Sequence, residues 1–211
     1  MTSDEALILE LRGGSQEAFT ELFLRYRQRV YGFFRRRMND AAQAEELAQE
    51  AFLAVLRGAQ RYEPRATFRA YLFGIAFNIL SAHRRKAMNE GARRNGASGA
   101  GDDFGGGDSA RTATDGMATN FDAETAIWVR QAVGKLEEGE REILMLREFE
   151  ELSYEEIAKV MKAPVNTVRS RLFRARMALR EILESSAKSG VREFGAGGAE
   201  SAGAGNSEVR K

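Results

Sequence analysis

Residues 152–176, LSYEEIAKVMKAPVNTVRSRLFRAR, predict the local structure of the carboxy-terminal part of the chain. It opens with an S-x-x-E pattern, Ser153 to Glu156, which is the capping box that starts many helices. The helix that follows is expected to end near Lys162, because Pro164 cannot continue it. These residues therefore predict a short helix followed by a tight turn.

A second helix is expected after this turn, with Asn166 or Thr167 as its cap and an end near residue 184. Two helices joined by a turn of a few residues make a helix-turn-helix. At about 100° per residue, one side of the second helix is apolar and is expected to face inward. That side consists of Val168, Leu172, Ala175, Leu179 and Ile182.

The opposite, outward side of the second helix carries residue types that read DNA. Arginine forks match guanine edges and phosphates, and an exposed apolar ring matches thymine methyl groups. The residues of this side are Arg169, Ser170, Phe173 and Arg174, and the flanking cations are Lys159, Lys162, Arg171, Arg176 and Arg180. A merely solvated helix normally mixes both signs of charge, whereas residues 157–180 contain no acid. The pattern therefore favours contact with nucleic acid over an ordinary solvated face.

Composition argues against several other classes of protein. The 211 residues include no cysteine, which excludes disulfides, thiol catalysis and sulfur-bound zinc. The chain has one histidine, His83, and it has neither convergent carboxylates nor a phosphate-binding loop, so we expect no enzyme, no metal site and no cofactor. It also has no apolar run of about 18 residues. We therefore expect a cytoplasmic protein without membrane insertion.

Two glycine-rich segments divide the chain. Residues 87–123 and 186–211 are rich in Gly, Ala and Ser and have few large apolar side chains, so they cannot bury enough surface to offset their ordering entropy. We expect a flexible linker in the first and a disordered tail in the second. The predicted fold class is all-α, with two small helical domains at residues 1–86 and 124–185.

The amino-terminal domain shows helical periodicity. Apolar residues recur at helical spacing from Phe19 to Phe34, and Asp40 is placed to cap the helix that follows. A third helix is expected at residues 67–85, after the turn at Pro64. Two sides of it are apolar, so it is either sandwiched in a bundle or offers one side to a partner. The first apolar side consists of Phe68, Leu72, Ile75 and Ile79, and the second consists of Phe73, Phe77 and Leu80.

Two stretches of the sequence resemble the two domains of a known protein family. The sequence REFEELSYEEIAKVMKAPVNTVRSRLFRAR resembles the promoter-binding domain of the extracytoplasmic-function (ECF) sigma factors of bacterial RNA polymerase. The sequence AEELAQEAFLAVLRGAQRYEPRATFRAYLFGIAFNILSAHRRK resembles their other domain, and the pair in this order is more specific than either half. Asn166 stands where the family usually has Gly, and Asn tolerates left-handed backbone. Arg69 stands where relatives often have an aromatic or small residue, which leaves promoter preference open.

The resemblance implies contacts with two promoter elements. The family reads the minus-thirty-five element as duplex, and the corresponding residues here are Arg169, Ser170, Phe173 and Arg174, with Thr167, Arg171 and Arg176 beside them. It captures the minus-ten element as an opened strand, for which the candidates here are Tyr62, Arg65, Phe68, Tyr71, Asn78, Arg84 and Arg85. From the residues alone, a buried and hydrogen-bonded Asn78 is the better interpretation, whereas the family match places it in a base pocket. Phe68 is expected to serve mainly as core.

The resemblance also implies protein partners. The family docks on core RNA polymerase at the clamp helices of the largest subunit and at the flap region. The candidates for the clamp contact are Glu46, Leu47, Gln49, Glu50 and Phe52. An anti-sigma factor that covers the DNA-binding surfaces is a further expected partner. The basic stretch at residues 25–37 is either a second polyanion contact or a generic basic face, and we favour the generic face.

Two alternatives to a sigma factor remain open. A sigma-mimicking decoy would bind an anti-sigma factor without touching DNA, but it should lack a basic recognition helix. A helix-turn-helix regulator that acts without polymerase would leave the amino-terminal domain unexplained. Transcription with core polymerase distinguishes all three.

Overall fold

The computed structural model describes residues 2–64, 66–94 and 120–195, with side chains in 2–64, 66–90 and 125–185. Its α-helices are α1 (Asp4–Arg12), α2 (Gln16–Arg35), α3 (Ala41–Gly58), α4 (Phe68–Arg94), α5 (Asn120–Gly134), α6 (Glu138–Glu148), α7 (Tyr154–Met161) and α8 (Val165–Gly195). A short 3₁₀ helix, Ala59–Arg61, follows α3. The described residues form helices and connecting turns, which confirms the predicted all-α fold class.

Helices α1–α4, the amino-terminal bundle, begin at side-chain caps. Ser3, Ser15 and Asp40 each accept a hydrogen bond from a backbone N–H of the first turn of α1, α2 and α3. The cap at Asp40 is the predicted one. Helix α1 is not predicted by the sequence analysis, because its buried residues are too few to establish a helical period. They are Leu7, Ile8 and Leu11.

Phenylalanine rings fill the centre of the amino-terminal bundle. The ring of Phe33 lies 5.1 Å from that of Phe34 and 5.7 Å from that of Phe73, measured between centroids. All three side chains are fully buried. Each such burial stabilises the fold by about 1.5–3 kcal/mol, and the contact between Phe33 and Phe73 joins α2 to α4.

Helix α4 is sandwiched between other helices, which is one of the two alternatives that its two apolar sides left open. It packs against α2 and α3 on one side and against α7 on the other. It begins at Phe68, where the hydroxyl of Thr67 accepts a hydrogen bond from the N–H of Ala70 at 3.2 Å. It continues to Arg94, past its predicted end near residue 85, so His83 lies inside the helix and not at its end.

Helices α5–α8 form the carboxy-terminal bundle. Helix α8 continues to Gly195, beyond its predicted end near residue 184, and α5 begins at Asn120, inside the predicted linker. The expected linker and tail therefore overlap helices at their edges. Residues 95–119 and 196–211, which hold the remainder of those predictions, lie outside the described residues.

The two bundles share one hydrophobic core. Buried side chains from α1–α4 and from α6–α8 belong to a single contiguous cluster. Where α4 crosses α7, a Cβ atom on Gly74 would lie 3.7 Å from a γ-methyl of Val160, an ordinary packing distance. Among the described residues, no helix is long and apolar enough to cross a bilayer.

Candidate nucleic-acid interface

The predicted capping box starts α7. The Ser153 hydroxyl accepts a hydrogen bond from the Glu156 N–H at 3.2 Å, and the Glu156 carboxylate accepts one from the Ser153 N–H at 2.8 Å. Both ends of the box therefore satisfy N–H groups that the helix itself cannot pair. The inner face of α7 buries Ile157, Ala158 and Val160, which fixes α7 against α4 and α8.

The turn between α7 and α8 differs from the predicted one. Lys162, at φ 53°, is the left-handed residue that ends α7, so Asn166 does not need that conformation. The Pro164 carbonyl accepts hydrogen bonds from the N–H groups of Thr167 and Val168 at 2.9 and 3.1 Å. Asn166 and Thr167 thus lie inside α8 and do not cap it, and that prediction is wrong. Proline suits this place because its fixed φ is compatible with the start of a helix.

Helix α8, the recognition helix, has the two faces that the sequence predicts. Val168, Leu172 and Ala175 are buried, while Leu179 and Ile182 are half-buried against the core. Arg169, Ser170, Phe173 and Arg174 lie on the exposed side. Phe173 is 67% exposed, which is unusual for an aromatic side chain in a folded chain. The surface on which the nucleic-acid prediction depends is therefore open to solvent.

Acids from α6 pair with cations of the recognition helix. Arg174 lies 3.3 Å from the Glu140 carboxylate, and Arg176 donates a hydrogen bond to Glu148 at 2.7 Å. Residues 157–180 contain no acid, and these partners could not be predicted from that stretch because they belong to another helix. Arg169 has no ion pair within the described part of the chain. Exposed pairs of this kind contribute about 0–1 kcal/mol each, so DNA phosphates can replace them.

Two of the predicted minus-ten aromatics are core residues. Phe68 is fully buried and packs edge-on against Tyr26 at 5.4 Å, so its ring is not available to a base in this arrangement. Tyr62 is buried beside Tyr71, with ring centroids 5.1 Å apart, and its hydroxyl donates to the Ala66 carbonyl at 3.1 Å. Burial raises the pKa of both Tyr62 and Tyr71. Of the three rings, only Tyr71 remains partly exposed.

The polar minus-ten candidates lie along α4. Asn78 is exposed, so the interpretation of a buried, satisfied amide is wrong. Arg85 is also exposed. Arg84 instead donates hydrogen bonds to Glu138 at 2.8 Å and to Glu142 at 3.1 Å. Arg65 lies outside the described residues.

The candidates for the polymerase contact separate into surface and core. Glu46, Gln49 and Glu50 are exposed on α3. Leu47 and Phe52 are buried, and Phe52 packs edge-on against Phe23 with ring centroids 4.9 Å apart, so these two residues serve the core here. Two exposed leucines on the same side of α3 were not among the predicted contact residues. They are Leu53 and Leu56, at 48% and 44% exposure.

The basic stretch at residues 25–37 pairs with the carboxy-terminal bundle. Arg37 donates a hydrogen bond to Glu142 at 2.8 Å, and Arg36 donates one to Glu150, also at 2.8 Å. Arg29 and Arg69 both reach Glu151, at 3.0 and 2.6 Å. The interpretation as a generic basic face is therefore wrong for Arg29, Arg36 and Arg37. Arg25 pairs within its own bundle, with Asp4 and Glu21.

Glu142 and Glu156 are acids of the carboxy-terminal bundle whose pKa values are shifted where the two bundles meet. Burial opposes ionisation of Glu142, but Arg37 and Arg84 outweigh burial and hold the pKa of the Glu142 carboxyl below its usual value. The pKa of Glu156 is lowered as well: burial acts against ionisation, and hydrogen bonds from Thr67 and Ser153 favour it more strongly. Both carboxylates are thus charged at neutral pH, and both contact the amino-terminal bundle.

Comparisons with known proteins agree with this geometry. The family models Sigma-70 region 2 and Sigma-70, region 4, match residues 22–90 and 126–179. The RNA polymerase sigma-H factor of Pseudomonas aeruginosa is 34% identical over 184 residues, which are 86% of this chain and 94% of that protein. The ECF RNA polymerase sigma-E factors of Haemophilus influenzae and Escherichia coli are 32% and 30% identical, over 82% and 84% of this chain and 92% of each relative.

Solved structures show the same fold. CnrH in complex with the cytosolic domain of CnrY matches with a TM-score of 0.61 at 24% identity, over 87% of this chain and 99% of that one. The sigma factor RpoE of Bartonella quintana, in complex with the anti-sigma factor NepR, matches with a TM-score of 0.62 at 23% identity, over 79% of this chain and 96% of that one.

The fold and the exposed face of α8 define a helix-turn-helix protein. Its relatives define it further. The chain belongs to the sigma-70 family, in the group of ECF sigma factors of bacterial RNA polymerase. Proteins of this family bind RNA polymerase and promoter DNA and act in transcription initiation.

Proposed function

We propose that this chain is a dissociable promoter-specificity subunit, which joins core RNA polymerase in the cytoplasm and directs it to promoters without catalysing a reaction itself. The observation that carries the proposal is the solvent-exposed face of α8, where arginines flank an exposed ring. In this proposal residues 1–86 and 124–185 act as two domains with separate tasks, and residues 87–123 tether them.

The recognition helix reads the minus-thirty-five element in this proposal. Arg169 and Arg174 supply guanidinium forks for guanine edges, Phe173 offers an apolar surface for thymine methyls, and Ser170 offers a hydroxyl. The remaining candidates contact phosphates and position the helix in the groove. They are Thr167, Arg171 and Arg176.

The exposed side of α4 takes part in capture of the opened minus-ten strand. Asn78 presents an exposed amide for a base edge, and Tyr71 offers a partly exposed ring. Arg85 lies about two turns beyond Asn78 and can contact the backbone of the strand. Tyr62 and Phe68 act indirectly, because they hold the loop before α4 in place. Arg84 can join the strand only after it leaves Glu138 and Glu142.

The outer side of α3 is the proposed contact with the polymerase clamp helices. Glu46, Gln49 and Glu50 provide acids and an amide for a basic partner. Leu53 and Leu56 lie on the same side at about 100° per residue and add apolar area to it. The flap region is the proposed partner of the carboxy-terminal bundle, and an anti-sigma factor is the proposed inhibitor.

Run-off transcription tests the proposed function. Core polymerase is incubated with genomic fragments, with and without this protein, over a range of salt concentrations. New start sites that depend on the protein are expected. The matched control is the double variant Phe173→Ala/Arg174→Ala, which keeps the buried face of α8 intact and should lose those starts. If no start appears at any salt concentration while the protein binds a small helical partner tightly, the decoy alternative is correct.

A further inference from the structure

Helix α1 caps the start of α4. The Glu5 carboxylate accepts a hydrogen bond from the Phe68 N–H at 3.1 Å. Phe68 is the first residue of α4, so its N–H is one of those that the helix cannot pair within itself. A carboxylate also suits this place because the amino-terminal end of a helix carries a partial positive charge. The Thr67 hydroxyl accepts a hydrogen bond from the Ala70 N–H at the same end, so side chains from two parts of the chain fix this first turn.

Helix α1 is itself held at both ends. At its start, the Asp4 carboxylate accepts a hydrogen bond from the Tyr26 hydroxyl of α2. At its end, the Gln60 side chain donates a hydrogen bond to the Arg12 carbonyl at 2.8 Å. The apolar face between these ends is buried in the core. The Glu5 carboxylate therefore reaches α4 from a fixed position, which makes α1 a support for the first turn of α4.

The Tyr71 ring, in the first turn of α4, lies against the end of α3. Gly58 is the last residue of α3, and a Cβ atom added there would overlap the Tyr71 hydroxyl. The ring has little freedom to move aside, because its centroid lies 5.1 Å from that of Tyr62 and 6.4 Å from that of Phe68. The backbone of Gly58 is helical, so this position needs no glycine for its conformation. The Tyr71 ring instead uses the space that a side chain at residue 58 would fill.

These contacts support the side chains that the proposed function assigns to strand capture. Tyr71 is partly exposed and Asn78 is exposed. At about 100° and about 1.5 Å per residue, Asn78 lies on the same side of α4 as Tyr71 and about 10 Å further along. A binding group has to be held within about 0.5 Å of its productive geometry by the residues behind it. A shift of the first turn of α4 would therefore move the Tyr71 ring relative to Asn78, and a strand could no longer contact both.

We propose that Glu5 and Gly58 are positioning residues for capture of the opened minus-ten strand. Glu5 fixes the first turn of α4, and Gly58 leaves the space in which the Tyr71 ring lies. This inference rests on the proposed function, and it adds residues of α1 and α3 that make no DNA contact of their own. Both residues act through Tyr71, which alone of these three meets the strand.

The selectivity of the complete protein for an opened strand tests both residues. The complex of the protein with core polymerase is titrated into two fluorescent single-stranded oligonucleotides. One has the nontemplate sequence upstream of a start site that run-off transcription has mapped with the wild-type protein, and the other has the same bases in scrambled order. The ratio of the two affinities is the strand selectivity. Loss of folded protein lowers both apparent affinities alike, so this ratio responds to the position of the capturing groups and not to stability.

Gly58→Ala should lower the strand selectivity by about tenfold, which is the loss expected when one base loses its stacking partner. In the Tyr71→Phe background the same substitution should lower it no further. The overlapping atom is the hydroxyl oxygen, whereas the ring carbon behind it would lie 3.7 Å from the added Cβ, an ordinary contact distance. Gly134→Ala is the matched control, because Gly134 also ends a helix, α5, but a Cβ added there meets nothing within 4 Å. It should leave the strand selectivity unchanged.

Glu5→Ala should lower the strand selectivity by about three- to tenfold, because the Phe68 N–H loses its acceptor. Glu5→Gln should retain most of the selectivity, since its amide oxygen can accept the same hydrogen bond. Ser15→Ala is the matched control in the same bundle. It removes the hydroxyl that accepts a hydrogen bond from the Ala18 N–H at 3.1 Å, and so it lowers stability at the cap of α2 and not at that of α4. It should leave the strand selectivity unchanged.

The outcomes separate the inference from the proposed function. Wild-type selectivity in Gly58→Ala, or an equal loss with and without the Tyr71 hydroxyl, overturns the role of Gly58. An equal change with Glu5→Ala and Ser15→Ala, or no rescue by Glu5→Gln, makes Glu5 a residue of the core only and overturns its positioning role. If the wild-type protein itself shows no strand selectivity, the proposed strand capture is wrong and the inference falls with it.

Discussion

Arg174 is the single residue whose substitution best separates base reading from general attraction to DNA. Its side chain is 63% exposed, and its pair with Glu140 leaves the guanidinium accessible. We predict that Arg174→Ala weakens binding of the upstream-element duplex by about 1–3 kcal/mol and relaxes selectivity at one base pair. Fluorescence anisotropy on matched and single-substituted duplexes measures both effects. Arg180→Ala, which removes an exposed arginine paired within α8, should lower affinity weakly and equally for all sequences. An equally uniform loss with Arg174→Ala would make Arg174 a phosphate contact.

Single residues also show which features of the structure can be predicted from the sequence and which cannot. The inward and outward sides of α8 were predictable because Val168, Leu172 and Ala175 repeat with the helical period, which is a local signal. The partner of Arg37 was not predictable from the sequence, because Glu142 lies 105 residues away and no periodic pattern connects the two residues. Asn78 shows the reverse case: its apolar neighbours suggested burial, yet it lies on a side of α4 that remains exposed.

At the scale of one element, the capping box of α7 should contribute measurably to stability. We predict that Ser153→Ala lowers the free energy of unfolding by about 0.5–2 kcal/mol, because the Glu156 N–H loses its acceptor. Urea unfolding followed by circular dichroism measures the change. Ser170→Ala is the matched substitution at an exposed position inside α8, and it should have no effect or stabilise slightly, since Ala has the higher helix propensity. Equal effects of the two substitutions would contradict a role for the box.

Helix bounds were predictable where a cap or a proline marks them. Asp40 and the pair Ser153 and Glu156 gave the starts of α3 and α7. The ends of α4 and α8 were not predicted, because both helices continue through a glycine, at Gly91 and at Gly190, where the composition favoured a linker and a tail. Helix α1 is stabilised by tertiary contacts that a local pattern does not contain: the Glu5 carboxylate accepts a hydrogen bond from the Phe68 N–H at 3.1 Å.

At the scale of the whole molecule, acidification should separate the amino-terminal bundle from the carboxy-terminal bundle, whose packed state in the structure is called here the docked arrangement. The carboxyls of Glu142 and Glu156 have pKa values below their usual 4.5 when docked, and the groups that face Glu142 are Arg37, Arg84 and Glu138, with Glu150 across Arg37. A carboxyl whose pKa is lowered by docking favours docking above its usual pKa. That contribution is lost as pH falls through the lowered values. The docked arrangement should therefore be fully favoured at neutral pH and weaken below about pH 4.5.

Small-angle X-ray scattering and circular dichroism, recorded together from pH 7 downward, measure this opening. We predict that the radius of gyration rises below pH 4.5 while helix content is still that of the native protein. Glu142→Gln should remove part of the pH dependence, because its amide does not titrate, and it should also raise the radius of gyration at neutral pH. Glu155→Gln should behave as the unchanged protein, since Glu155 is exposed on the first turn of α7. If the protein expands at the same pH at which it loses helix content, it unfolds and the bundles do not simply separate. A constant radius of gyration would show that these carboxylates do not hold the two bundles together.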